Sequence, residues 1–157
     1  ILAYALVAGV FLAFSDFITR SLALTGGVGG VEAMQVINRE VFRWVFMALF
    51  LGMAAVSVLI AGYAWVALSG PAGTLIGVAA LVYLIGCFGV TVAFNVPMNQ
   101  ALAGMELSSE ATRDYWLQSY VPRWTFWNSV RTGAAALAAA LLLFGLLWMT
   151  QTQSQPA

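Results

Sequence analysis

Four long apolar runs, separated by short stretches of glycine, proline and charge, set the pattern of this chain. The first covers positions 1–24. At a rise of about 1.5 Å per residue, a helix of that length crosses a hydrocarbon core of about 30 Å. Ser15, Asp16, Thr19 and Arg20 fall in its last third, and Asp16 and Arg20 are spaced so that their charges neutralise one another on one helix face. An unpaired charge at mid-membrane costs about 3 kcal/mol, so the pair is expected to face protein or the interface. The glycine-rich stretch 25–30 is a flexible break. From Val31 the pattern turns amphipathic: Val31, Met34, Val41 and Val45 form one stripe, Glu32, Gln35, Arg39 and Arg43 lie off it, and Asn38 falls on the apolar side. This predicts an interfacial helix over 31–42 running into a second span at 43–68, with Trp44 at headgroup level. The turn at 69–73 leaves no room for a soluble domain, so the second span and a third at 74–95 form a tight antiparallel hairpin. Gly86, Gly89 and Ala93 in the third span, and Ala48 and Gly52 in the second, offer small-residue faces for close helix packing.

Between Phe94 and Arg131 the chain concentrates its polar chemistry. Pro97 has no N–H and crowds the preceding turn, so a helix arriving there is expected to kink or stop and to leave the Ala93 carbonyl unpartnered. Asn95 and Asn99 flank the break on one face, each amide able to donate and accept. A short helix is expected within 100–120, capped by Ser108 or Ser109, with Glu106, Glu110 and Asp114 on its polar face and Tyr115, Trp116 and Tyr120 at the membrane surface. Pro122 then restarts the chain into a fourth span at 123–148, whose beginning carries Trp124, Trp127, Asn128 and Arg131 on one face. The expected architecture is all-α: an integral membrane four-helix bundle with short interfacial helices in the first and third connections. A single four-span domain over 1–149 and a polar tail at 150–157 complete it.

Composition agrees with this pattern and narrows the chemistry. Hydrophobic residues make up 62% of the 157 positions and charged residues 8%, with a mean hydropathy of +0.93, far from a soluble domain. Six arginines with no lysine balance six carboxylates, so no basic surface for nucleic acid exists. Histidine is absent and Cys87 is the single cysteine, which excludes a disulfide framework, a Cys/His zinc site and a His-ligated haem. Glu106, Glu110 and Asp114 have a spacing that a metal could use, but beside Arg113 and without histidine a solvated face is the plainer reading, and no metal site is assigned. Cys87 and the six methionines suit packing. The first residue is isoleucine, so the natural N-terminus is expected upstream, and no small-residue cleavage site marks a signal peptide.

All six arginines belong to the first and third connections or their flanks. By the positive-inside tendency those connections are cytoplasmic and both termini face the outer side of an inner or plasma membrane. Asp16 with Arg20 is either a proton-handling pair or a structural ion pair near the interface. Asn95 and Asn99 either line a pocket or cap an ordinary proline stop. Arg123 and Arg131, placed near the positive end of a helix dipole, call for an anion: Asp16, a lipid phosphate or an acidic ligand. The tryptophans, Trp124 and Trp127 among them, are either an aromatic belt or a stacking wall.

Four segments together resemble the anthrone oxygenase family: Gly9-Val-Phe-Leu-Ala-Phe-Ser15, Ala33-Met-Gln-Val-Ile-Asn-Arg39, Gly89-Val-Thr-Val-Ala-Phe-Asn-Val-Pro-Met-Asn99 and Arg123-Trp-Thr-Phe-Trp-Asn-Ser-Val-Arg131. The resemblance spans almost the whole chain. It implies a small four-span membrane protein, in which characterised relatives oxidise polyketide anthrones to anthraquinones with O2 and without metal or flavin, so no cofactor is expected. One departure lies at Thr19 and Arg20, where many relatives carry proline.

Two functions stay open on these grounds. In the first, a cytoplasmic-side pocket binds a planar, weakly acidic aromatic between tryptophans. Asp16, the only carboxylate within a span, is then the candidate base, while Arg131 and the amides of Asn95, Asn99 and Asn128 stabilise the developing oxyanion. Asn38, Arg20, Trp124 and Trp127 complete the candidate substrate contacts. In the second, the chain is a non-catalytic subunit, a homo-oligomer or part of a larger membrane complex, and the polar cluster only locks helices together.

Overall fold

The computed structural model describes residues 1–43 and 45–153, with backbone alone for 152 and 153, so the expected headgroup position of Trp44 and the second half of the tail lie outside the described residues. Five helices account for nearly all of it: α1 (Leu2–Ala23), α2 (Gly29–Glu40), α3 (Val45–Ala67), α4 (Gly70–Ala103) and α5 (Glu110–Gln151). There is no strand among the described residues. α1, α3, α4 and α5 are long and apolar enough to cross a membrane, the architecture of an all-α integral membrane bundle. α2 is the amphipathic helix of the first connection, with Val31, Met34 and Gln35 buried and Glu32 and Arg39 exposed.

The two prolines behave differently from expectation. α4 runs through Pro97 and α5 runs through Pro122 without a stop. In each case the helix widens into a π turn just before the ring, at Thr91–Asn95 and at Tyr115–Tyr120. There the Val96 N–H donates to the Thr91 carbonyl and the Val121 N–H to the Trp116 carbonyl, five residues back. The extra residue per turn takes up the ring and the missing donor that would otherwise break the helix. As a result the short helix expected after Ser109 is the beginning of α5 itself, and the third connection shrinks to 104–109. Ser109 has the extended backbone of a cap but makes no side-chain capping bond. α1 contains a similar π turn at Phe14–Ile18, around Ser15 and Asp16.

Two apolar clusters hold the helices together. One joins α1, α3, α4 and α5 through Tyr4, Phe11, Phe50, Tyr83 and Ala135. The Tyr83 hydroxyl donates to the Phe50 carbonyl at 3.1 Å, and the Tyr4 and Ser57 hydroxyls lie 2.6 Å apart, so each buried phenol keeps a partner in an apolar core. The other cluster seats α2 against α4 and α5 through Val31, Met34, Leu102, Trp116, Tyr120 and Trp124. Gln35 ties it down by donating to the carbonyls of Leu102 and Met105 at 2.8 and 3.2 Å, at the end of α4 where carbonyls run short of intrahelical donors. Close approach is real at several glycines, Gly86 and Gly30 among them. A Cβ on Gly86 would lie 2.7 Å from that of Ala134, and one on Gly30 would strike the Leu22 carbonyl. Gly52 meets nothing within 4 Å, so the small face of α3 packs on no other helix of this chain there.

Candidate functional site

Arg131 is the centre of the buried polar chemistry. It projects from the middle of α5 and is only 5% exposed. Because α5 begins at Glu110, neither Arg123 nor Arg131 sits in a first helical turn, and the unfavourable dipole expected from the sequence does not act on them. Among the described residues no carboxylate lies within ion-pair distance of Arg131. Its charge is instead met by neutral groups: Nη2 donates to Asn128 Oδ1 at 2.5 Å and Nη1 to Thr91 Oγ1 at 3.2 Å. The guanidinium carbon stands 4.1 Å from the Phe11 ring centroid and 5.3 Å from that of Trp124, in the range of cation–π attraction. Nε is buried without a partner.

Asn128 fixes this arrangement across the bundle. With its oxygen on Arg131, its amide nitrogen donates to the Phe11 carbonyl and to Ser15 Oγ, both at 2.6 Å. The same π turn that carries Ser15 thereby brings α1 onto α5, and Ser129 adds a 3.0 Å bond to Ser15. Trp124, one turn earlier on α5, links this set to a second one. Its carbonyl accepts from Asn95 Nδ2 at 3.3 Å and its indole N–H donates to Asn99 Oδ1 at 2.8 Å. Asn99 Oδ1 also accepts from the Tyr120 hydroxyl at 2.8 Å, which in turn accepts from Asn38 Nδ2 at 3.3 Å. The four amides and the guanidinium therefore belong to one chain of contacts whose hub is Trp124. The oxygen of Asn95 remains buried without a partner.

Next to this network lies a cleft of about 420 Å³, a volume suited to a small planar molecule. Its walls are apolar and rich in aromatic rings: Phe11 and Phe14 from α1, Phe46 and Phe50 from α3, Phe88 from α4 and Trp124 from α5, with Met34 of α2 and Met47. Polar groups reach it at a few points only, from Arg131, Thr91, Asn99, Asn38 and Glu40. Glu40 pairs with Arg43 at 3.1 Å at the edge of the cleft.

The site residues expected from the sequence fall into three groups. Arg131, Asn99, Asn38 and Trp124 line the cleft. Asn128 and Asn95 stand behind it, buried, and orient α1 and Trp124. Asp16, Arg20 and Trp127 are elsewhere. Asp16 and Arg20 are exposed on the outside of α1, and among the described residues no ion pair joins them to each other or to Arg131. Trp127 stacks on Phe94 at 3.7 Å, on the outer side of α4 and α5. The reason for Asp16 is the π turn, which aims Ser15 inward and leaves its neighbour exposed on the outside of α1. Phe11, Phe14, Ser15, Thr91, Tyr120 and Glu40 take part without having been singled out. Hydroxyl residues inside apolar spans, Ser15 and Thr91, were the available signal.

Comparison with curated proteins and with solved structures gives no match. The family model described as Anthrone oxygenase matches residues 39–141, a segment that contains Asn95, Asn99, Trp124, Asn128 and Arg131 together with Thr91 and the α3 wall of the cleft. With that match covering most of the chain and the helical membrane architecture around it, this protein belongs to the anthrone oxygenase family.

Proposed function

We propose that this chain is a cofactor-independent, O2-dependent oxygenase, a single four-span domain over 1–149 that acts on a planar, weakly acidic aromatic held in the cleft. The observation that carries the reading is the buried Arg131 at the wall of an apolar cleft, with an unpartnered Nε and, among the described residues, no carboxylate within ion-pair distance. A buried guanidinium is costly unless a negative charge arrives to meet it. An enolate or phenolate oxygen of a bound ring supplies that charge, and its stabilisation grows as the charge develops.

In this reading the ring's acidic methylene gives a proton to Glu40, the carboxylate that lines the cleft. The electron pair left behind delocalises onto the ring oxygen facing Arg131. The carbanionic carbon then bonds to O2 and reduces it to a hydroperoxide. Loss of the second C–H proton with cleavage of the O–O bond expels water and leaves a ketone, so that one methylene and one O2 become one carbonyl and one water. Asn99 and Asn38 orient the ring through their amides, and Trp124 stacks against it. Asp16 has no part in the proposal because it is exposed and does not line the cleft.

A second reading keeps the chain non-catalytic, as a homo-oligomer or an accessory subunit of a larger membrane complex. It is favoured by α3, where Gly52 and Gly62 meet nothing within 4 Å and present small residues on an uncovered face. O2 uptake with a panel of anthrones, measured for the wild type and Arg131→Leu beside a melting curve, decides between them. The oxygenase reading expects uptake to fall by about 100-fold or more with the protein still folded. Uptake that is absent in the wild type, or unchanged in the variant while melting drops, overturns it.

A further inference from the structure

The rim of the cleft is as informative as its floor. Val10 of α1, Leu51 of α3 and Val92 of α4 all line it, yet they are 39%, 49% and 54% exposed. Each lies within a membrane-spanning helix, so what meets these side chains outside the protein is hydrocarbon, not water. The exposed rim runs from Phe42, just ahead of α3, to Leu51 in its first half. That helix is the least enclosed of the four, with 17% of its apolar window buried against 28% in each of the others. Arg131, bonded to Thr91, also lines the cleft and is itself buried.

From this geometry we infer that the cleft is loaded sideways from the bilayer, and that it accepts an oxygen-bearing planar ring carrying an aliphatic substituent, with the ring inside and the chain left among the lipid tails beside Leu51. The inference rests on the oxygenase reading for the ring and adds the chain and the route. Three features of the site support it. The polar groups are gathered at the deep wall and at the Asn38 end, so a ring has one polar edge to present. The rest of the lining is apolar, so a chain directed toward the rim loses no hydrogen bond. Finally, the rim residues contact lipid, so the chain exchanges one hydrocarbon environment for another at almost no cost.

The test uses the full chain in nanodiscs and two probes, 1,8-dihydroxyanthraquinone and the same ring bearing a decyl chain. Partition between protein-loaded and empty nanodiscs is read from the ring's own absorbance, with ligand expressed per lipid. An opening to the bilayer makes the two dissociation constants agree within about threefold, because the chain gains and loses nothing on binding. Leu51→Trp narrows the rim and lowers the affinity of the decyl compound relative to the parent by about tenfold. Val10→Trp narrows the same rim from α1 and gives the same ratio if the first variant does not fold. A parent ring that binds while the decyl compound is rejected by about tenfold or more in the wild type overturns the lateral route and leaves the oxygenase reading standing. Binding of neither ring overturns both.

Discussion

The guanidinium of Arg131 lies 4.1 Å above the Phe11 ring, while Asn128 holds the Phe11 carbonyl at 2.6 Å from the other side. One residue of α1 is thus gripped twice by α5, through its ring and through its backbone. The consequence is mutual dependence: Asn128 positions Arg131 and also fixes the surface over which Arg131 rests. A charge with this little exposure persists in an apolar bundle because neutral donors, acceptors and ring faces share it.

That dependence predicts a hierarchy of stability. Asn128→Ala strips Arg131 of its closest acceptor and leaves a buried charge under-compensated, costing about 3–5 kcal/mol of unfolding free energy. Arg131→Leu removes the charge itself and leaves only the Asn128 amide oxygen and the Thr91 hydroxyl short of a donor, costing about 1–3 kcal/mol. The double variant should lose less than the sum. Melting curves in detergent measure all three, and strictly additive losses would show that the two side chains act independently.

Close packing of α4 on α5 depends on Gly86. An added methyl would sit 2.7 Å from the Cβ of Ala134, so Gly86→Ala is expected to lower stability by about 1–3 kcal/mol. Gly52→Ala adds a methyl into open space on α3 and should be neutral or stabilising by up to about 1 kcal/mol. Equal melting temperatures for the two variants would contradict the packing described here.

Asp16 is exposed and outside the cleft. Asp16→Asn should therefore leave melting unchanged and keep O2 uptake within about twofold of the wild type. A loss of tenfold or more would restore Asp16 to the chemistry and displace Glu40 from it.

Orientation in the membrane follows from the arginine distribution. Cysteines introduced at 69–73 are expected to react with an impermeant thiol reagent from outside, and those at 106–110 only from the cytoplasm. The native Cys87 is buried and should not interfere. The reverse labelling pattern would invert the topology.

Length and hydropathy determined most of the fold, because a helix that crosses a bilayer must be apolar for about 20 residues and must satisfy its own backbone. Those are local requirements, and they are written in consecutive residues such as those of Val45–Ala67. The amphipathic stripe of α2 was legible for the same reason, and Asn99, Asn128 and Arg131 stood out as polar groups that hydrocarbon would not tolerate alone. What only the tertiary structure decided was register and direction. π turns at Phe14–Ile18, Thr91–Asn95 and Tyr115–Tyr120 each insert extra rotation that a 3.6-residue period does not carry. One of them carried α4 through Pro97 and another turned Ser15 toward Asn128 while leaving Asp16 outside. The π turn of α5 brought Tyr120 and Trp124 to the same acceptor on Asn99. Each π turn exchanges regular backbone hydrogen bonds for packing and polar contacts with another helix, and such an exchange depends on residues far apart in the chain.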